Sequence, residues 1–176
     1  PLVYRIIFLT SLVFGCSSSE MKKIGETREG LPDAESWNAT ITLTSEGAKR
    51  AVIRSGHLEK YNEKEFIMLD SSVYVDFYDT NEIHTSVLTS DVAEINQNSN
   101  DMIARGNVVA KSDSGITLYS KTLLWSSRDE KLKTQEKIMI TTLDRDTLYG
   151  IGFESDSDLK NWKILSPSGV TSRVLN

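Results

Sequence analysis

A two-residue period governs this chain from Trp37 onward. Trp37, Ala39, Ile41 and Leu43 alternate with Asn38, Thr40, Thr42 and Thr44, and Val73, Val75 and Phe77 alternate with Tyr74, Asp76 and Tyr78. Successive side chains of a strand point to opposite faces, so strict alternation requires half-buried β-strands. The pattern returns at Ile83-Thr85-Val87, Val108-Ala110, Ile116-Leu118 and Ile138-Ile140. Between these runs lie turn formers: residues 96–101, Gly106-Asn107, residues 112–115, 126–129 and 144–146, and Asp156-Ser157-Asp158. Turn chemistry every ten to fifteen residues marks an all-β chain. No stretch of ten or more residues carries a helical face. Residues 58–69 come nearest, but Tyr61-Asn62-Glu63-Lys64 reads as a hairpin turn.

A spacing of about 30 residues is superimposed on the short period. Leu88, Leu118 and Leu148 are in register, as are Ser90, Ser120 and Gly150, then Ala93, Leu123 and Phe153, then Met102, Leu132 and Trp162. Val108 and Ile138 continue the match, and the third copy diverges at Ser168. Repeats of this length indicate supersecondary units that share one continuous core. Here they predict a β-solenoid or an open jelly roll.

The N-terminus reads as an address rather than as fold. Arg5 precedes an apolar run, Ile6 to Phe14, too short for the ~20 residues of a bilayer-spanning helix but of signal-peptide length. The run ends Leu12-Val13-Phe14-Gly15-Cys16-Ser17, which resembles a bacterial lipobox. That reading makes residues 1–15 a lipoprotein signal peptide and Cys16 the lipidated residue. Several acyl chains, at about 0.8 kcal/mol per buried CH₂, anchor stably where one chain does not. Residues 16–34 form a polar tether without apolar periodicity, and residues 35–176 form the folded domain. The alternative for Cys16 is a buried free thiol in a short apolar helix.

Little in the sequence speaks for catalysis. With 20 Lys+Arg against 25 Asp+Glu and no basic run, the chain has no footprint for nucleic acid. One cysteine excludes a disulfide framework and a cysteine-built zinc site. His57 and His84 lie in no nucleophile motif, and the carboxylates are dispersed. Asp156-Ser157-Asp158 lacks the glycine and distal glutamate of a calcium loop and reads as a turn. Gly150-Ile151-Gly152 lacks the strand–helix setting of a dinucleotide site and reads as a bulge or relief of crowding. No cofactor, metal or enzymatic role is expected. What remains is an apolar strand face, which is either a packed core or a groove for an apolar ligand.

Several segments, in order, resemble the LptC family and the related LptA/OstA-like domains. They are Leu69 to Asp79, Leu88 to Ile95, and Asp101 to Val109 with its Ala-x-Gly-Asn-Val core at Ala104, Gly106, Asn107 and Val108. Gly115 to Trp125 and Asp146 to Asp156, with Gly150, Gly152 and Phe153, complete the series. The resemblance spans roughly residues 35–170. It implies an open, twisted β-jellyroll of stacked antiparallel strands. It also implies a periplasmic role in lipopolysaccharide export: lipopolysaccharide accepted from an LptB/LptF/LptG-like inner-membrane ABC transporter and passed to an LptA-like protein by edge-strand pairing. On that view Val73, Val75, Phe77, Ile83, Val87, Ile116, Leu118, Ile138 and Ile140, chosen by parity, line a lipid groove, and residues 160–165 offer a docking edge. Two features depart from the family. A lipobox stands where many members have a transmembrane helix, and Ser17 after Cys16 leaves outer-membrane sorting open beside the inner membrane. The alternative function is a structural β-scaffold lipoprotein without a groove.

Overall fold

The computed structural model describes residues 30–144 and 146–168, so the segment read as a signal peptide, Cys16, most of the segment read as a tether and the last eight residues lie outside the described part. Among the described residues, eleven strands form one antiparallel sheet. They are β1 (Ala34–Ser45), β2 (Ala48–Tyr61), β3 (Phe66–Asp70), β4 (Val73–Tyr78), β5 (His84–Ser90), β6 (Val92–Asn96), β7 (Met102–Ser112), β8 (Thr117–Ser126), β9 (Lys131–Thr141), β10 (Thr147–Asp156) and β11 (Trp162–Ser168). The described residues contain no helix, and none of them belongs to a helix long and apolar enough to cross a membrane. Residues 62–65 form the turn expected between β2 and β3.

The topology is a meander of bent runs. β3 and β4 are halves of one run, broken at Ser71 and Ser72 with φ of 57° and 74°. β5 and β6 are halves of another, broken at Asp91. Each run then pairs with its neighbour in sequence, and β1 and β11 each pair on one side only among the described residues.

A line of bulges crosses the sheet at mid-strand. Register slips between Arg105 and Val108 in the β7–β8 pair, between Tyr119 and Leu124 in β8–β9, and between Ile151 and Phe153 in β9–β10. It slips likewise in β2, between Arg54, opposite Tyr74, and His57, opposite Asp70. An extra residue bends a strand and exchanges its faces. In β5–β6 the buried residues are Ser86, Leu88 and Ser90 before the bulge, then Ala93 and Ile95. In β8 they are Leu118, then Leu123 and Trp125. In three of the runs a hydroxyl just ahead of the bulge ties it down: Ser90 Oγ donates to the Val92 carbonyl and Ser120 Oγ to that of Thr122, both at 2.9 Å, and Ser55 Oγ donates to that of His57. The 30-residue repeat is therefore a bent hairpin with its bulge. The units add side by side to one sheet, as a jellyroll does and a solenoid does not.

Bending every run at the same level lays one half of the sheet over the other. The first half carries Ile53, Val75, Phe77, Leu88, Val108, Leu118 and Ile140; the second carries Leu69, Ile95, Met102, Leu123, Trp125, Leu132 and Phe153. All are at most 2% exposed and belong to one apolar cluster. The rings of Phe77 and Trp125 meet across the fold with centroids 5.4 Å apart.

Two glycines have conformations that the bulges demand. Gly106 (φ +76°) faces Asp91, whose Oδ2 would lie 2.5 Å from an added Cβ. Asp91 N–H donates to the Gly106 carbonyl at 3.0 Å, and Asn107 Nδ2 donates to Asp91 Oδ2 at 2.8 Å. Gly152 (φ +75°) makes the corresponding bend against Leu165.

Candidate functional site

Six of the nine parity-selected residues lie together in the interior: Val73, Val75, Phe77, Leu118, Ile138 and Ile140, at most 4% exposed. Ile116 packs partly buried against the same cluster. Two do not join them. Ile83 is 62% exposed, because it lies in the turn before β5 rather than in the strand. Val87 points to the outer face, because the inward positions of β5 are Ser86, Leu88 and Ser90. There it lines an outer hollow with Tyr74, Thr89 and Val109.

The parity rule also misses the second half of the interior. Ala93, Ile95, Met102, Leu123, Trp125, Leu132 and Leu159 are all buried, and each follows a bulge or a break that resets the alternation. The usable sequence signals were Gly106-Asn107, Gly152 and the serines ahead of the bulges. Of the motif residues, Gly106 and Asn107 build the bend, Val108 and Phe153 are buried at 1%, and Gly150 admits Ile164. A Cβ on Gly150 would stand 2.2 Å from Ile164 Cγ2, so the repeat carries glycine where two copies carry serine.

The interior is packed at its centre and opens towards β11. There Leu148, Tyr149, Trp162, Ile164 and Pro167 border an open apolar hollow of about 310 Å³. Trp162 and Ile164 also pack on the core, so the hollow lies against its margin. At the other margin Ile41 and Leu43 of β1 pack partly exposed on the same cluster.

Along the mouth, where the tips of the two halves meet, polar contacts hold them together. Ser86 Oγ donates to the Ser157 carbonyl at 2.5 Å. Arg50, 9% exposed, lies with its Nε 2.9 Å from Glu130 Oε1. A polar cleft of about 900 Å³ is lined by Thr44 and Ser45 and by residues 98–101 and 126–129, the last of these preceding Glu130. In that cleft Lys133 Nζ donates to Asp129 at 2.7 Å and Ser126 also donates to it, holding the Asp129 carboxyl down at about 2. Trp125 Nε1 and Ser155 Oγ are buried in the interior without a hydrogen-bond partner among the described residues.

The histidines are held by carboxylates on the outer surface. His57 Nδ1 lies 3.2 Å from Asp70 Oδ2 and its Nε2 2.8 Å from Glu35 Oε1. Asp70 first and Glu35 second raise its pKa above 6.5. His84 is half-buried between Asp76 and Asp113, at 3.3 and 2.8 Å. Glu35, His57 and Glu59 bring three ligating atoms within 4.8 Å of one another. The sequence offered no metal site. This cluster arises because Glu35 and Glu59 are cross-strand partners beside the Trp37–His57 pair. His57 is already engaged there by two carboxylates. Asp156-Ser157-Asp158 leads into the expected turn, with Leu159 N–H donating to the Asp156 carbonyl at 3.0 Å.

No curated protein matches the chain. A family model described as "Lipopolysaccharide-assembly, LptC-related" matches residues 5–171, nearly the whole length. Together with an all-β jellyroll whose GNV and GxGF segments form its bends, that match assigns a role in lipopolysaccharide transport on the periplasmic side of the inner membrane. The chain belongs to the LptC-related family of lipopolysaccharide-assembly proteins.

Proposed function

We propose that the protein is a lipid relay in the periplasm. It accepts lipopolysaccharide from an LptB/LptF/LptG-like ABC transporter and passes it to an LptA-like protein. The observation that carries this reading is the apolar interior running between two half-sheets and opening at β11 through Leu148, Trp162 and Ile164. A packed core needs no such opening, whereas acyl chains need an apolar path that reaches the surface. Because Phe77, Leu118 and Ile140 are buried in one apolar cluster and Phe77 meets Trp125 of the other half-sheet, entry of acyl chains requires the half-sheets to part. The bend line and the polar contacts at the mouth are the places that can yield. The one-sided strands β1 and β11 can each accept a further strand through unpaired backbone groups. β11, which contains most of the segment read as a docking edge, suits the LptA-like acceptor. Cys16 anchors the protein by its lipid, and the energy for transfer comes from the transporter, so no residue of this chain is catalytic.

Photo-crosslinking in cells tests the reading. A photoreactive phenylalanine at Phe77, Leu118 or Ile164 captures lipopolysaccharide while the transporter hydrolyses ATP. The same probe at Ile83 or Val87, outside the interior, does not. Absence of an adduct from all three interior positions overturns the relay and leaves the structural scaffold.

A further inference from the structure

Arg50 is placed where a β-strand does not normally aim a charge. In the β1–β2 pair Leu43 is opposite Ala51 and Thr44 is opposite Lys49, so Arg50 is the extra residue of a bulge. Bulges re-aim side chains, and this one turns the guanidinium inward while Ala51 beside it remains fully buried. The side chain crosses the mouth to Glu130, which precedes β9 in the opposite half-sheet.

The pair is electrostatically close but incompletely bonded. Nε is 2.9 Å from Glu130 Oε1, off hydrogen-bond alignment, and neither Nε nor Nη1 has a hydrogen-bond partner among the described residues. A guanidinium presents five donors in a planar fork that two oxygens of a carboxylate or phosphate can fill together. A buried charge with idle donors is destabilising, and an apolar residue of similar volume often is not. The arrangement therefore calls for an acceptor that Glu130 replaces only in part. The surroundings fit an anionic headgroup. Neighbours of both groups wall the polar cleft: Thr44, the residue just past the β1 side of the bulge, and Asp129, which precedes Glu130. The apolar cluster begins at Ala51 and Phe77, which are paired. Asp101 and Asp129 line the same cleft, but each is engaged: Asp101 accepts from Ser127 N–H at 2.8 Å and Asp129 from Lys133.

We propose that Arg50 is the receptor for a phosphate group on the headgroup of the transported lipid, with Glu130 as its resting counter-ion. This rests on the relay reading and adds to it the group that is recognised. The phosphate displaces the Glu130 carboxylate and takes the idle Nε–H and Nη1–H donors. The Arg50–Glu130 contact across the mouth then opens as the acyl chains enter. Recognition and opening are one exchange of anions.

The test uses the purified full chain and two probes, lipopolysaccharide and the same lipopolysaccharide with its headgroup phosphates removed enzymatically. The wild type is expected to bind the phosphorylated form at least tenfold more tightly. Arg50→Met abolishes that preference, so that it binds the two forms alike; Glu130→Gln tightens binding of the phosphorylated form several-fold. A third arm follows the Arg50 Nε–H resonance, expected to shift with the phosphorylated lipid and not with millimolar inorganic phosphate. Equal affinity of the wild type for both lipids overturns the proposal without needing any variant to fold, and so does a preference retained in Arg50→Met. A shift with inorganic phosphate alone overturns the assignment to a lipid. Binding of the dephosphorylated lipid alongside any of these results keeps the relay standing, whereas failure of the wild type to bind either lipid overturns the relay itself.

Discussion

Replacing Gly106 by alanine isolates the cost of the bend on which the jellyroll depends. Two effects add. A non-glycine residue at φ +76° costs about 1–2 kcal/mol. The stiffer unfolded chain offsets that by about 0.4–1 kcal/mol, leaving a net cost of about 1 kcal/mol. The new Cβ would also lie 2.5 Å from Asp91 Oδ2, so that carboxylate must swing away and release Asn107 Nδ2. Losing that exposed, charge-assisted hydrogen bond adds about 1–2 kcal/mol. The total is about 2–3 kcal/mol, a fall in Tm of roughly 6–10 °C for a domain of this size. Gly47→Ala supplies the control. Gly47 has nearly the same φ, +82°, and nothing within 4 Å of an added Cβ. It should therefore lose only the net conformational cost. Urea and thermal unfolding of the two variants, with Asp91→Ala and the Gly106/Asp91 double variant to close the cycle, measure the difference directly. Equal losses in Gly47→Ala and Gly106→Ala would falsify the argument that the Asp91 contact fixes the bend.

Other consequences concern packing and charge. Phe77→Ala, which removes a ring that meets Trp125 from the other half-sheet, should cost about 3–5 kcal/mol. Ile83→Ala, in an exposed turn, should stay within about 0.5 kcal/mol; calorimetry on both separates interior from exterior. Gly150→Ser, which makes the third repeat copy like the other two, should destabilise by about 1–3 kcal/mol through overpacking against Ile164. Ile164→Ala in the same chain should recover part of the loss, and chemical denaturation reads both. His57 carries a raised pKa, owing first to Asp70 and then to Glu35. Its stabilisation is thus fully present below the unfolded value of 6.5 and is lost as pH rises through the higher folded value. A proton NMR titration should place its midpoint above 6.5, and Asp70→Asn should bring it down; a midpoint unmoved by that change would show that Asp70 is not the main cause.

The strand faces were legible because alternation is local. Two neighbouring residues of one strand must point opposite ways whatever the rest of the chain does, and Val73, Val75, Phe77, Leu118, Ile138 and Ile140 all obeyed. The repeat was legible for the same reason, since each copy is one bent hairpin. Val87 failed because its segment's apolar residues do not decide its inward face. Ser86, Leu88 and Ser90 point inward, two of them serines that satisfy carbonyls there. Ile83 failed because the strand begins one residue later.

By itself, the sequence determined the β class, the turns, the motif series shared with the family and half of the interior. Tertiary structure decided the other half, because an extra residue in a strand inverts its faces only relative to the partner against which register is counted. Leu123, Trp125 and Leu132 became interior through that inversion and through one half-sheet folding over the other. The same holds for Arg50. Nothing beside it in the sequence distinguishes it from a surface arginine. Its burial follows from a bulge defined by pairing with β1, and its counter-ion stands 80 residues along the chain, brought near only by the bend.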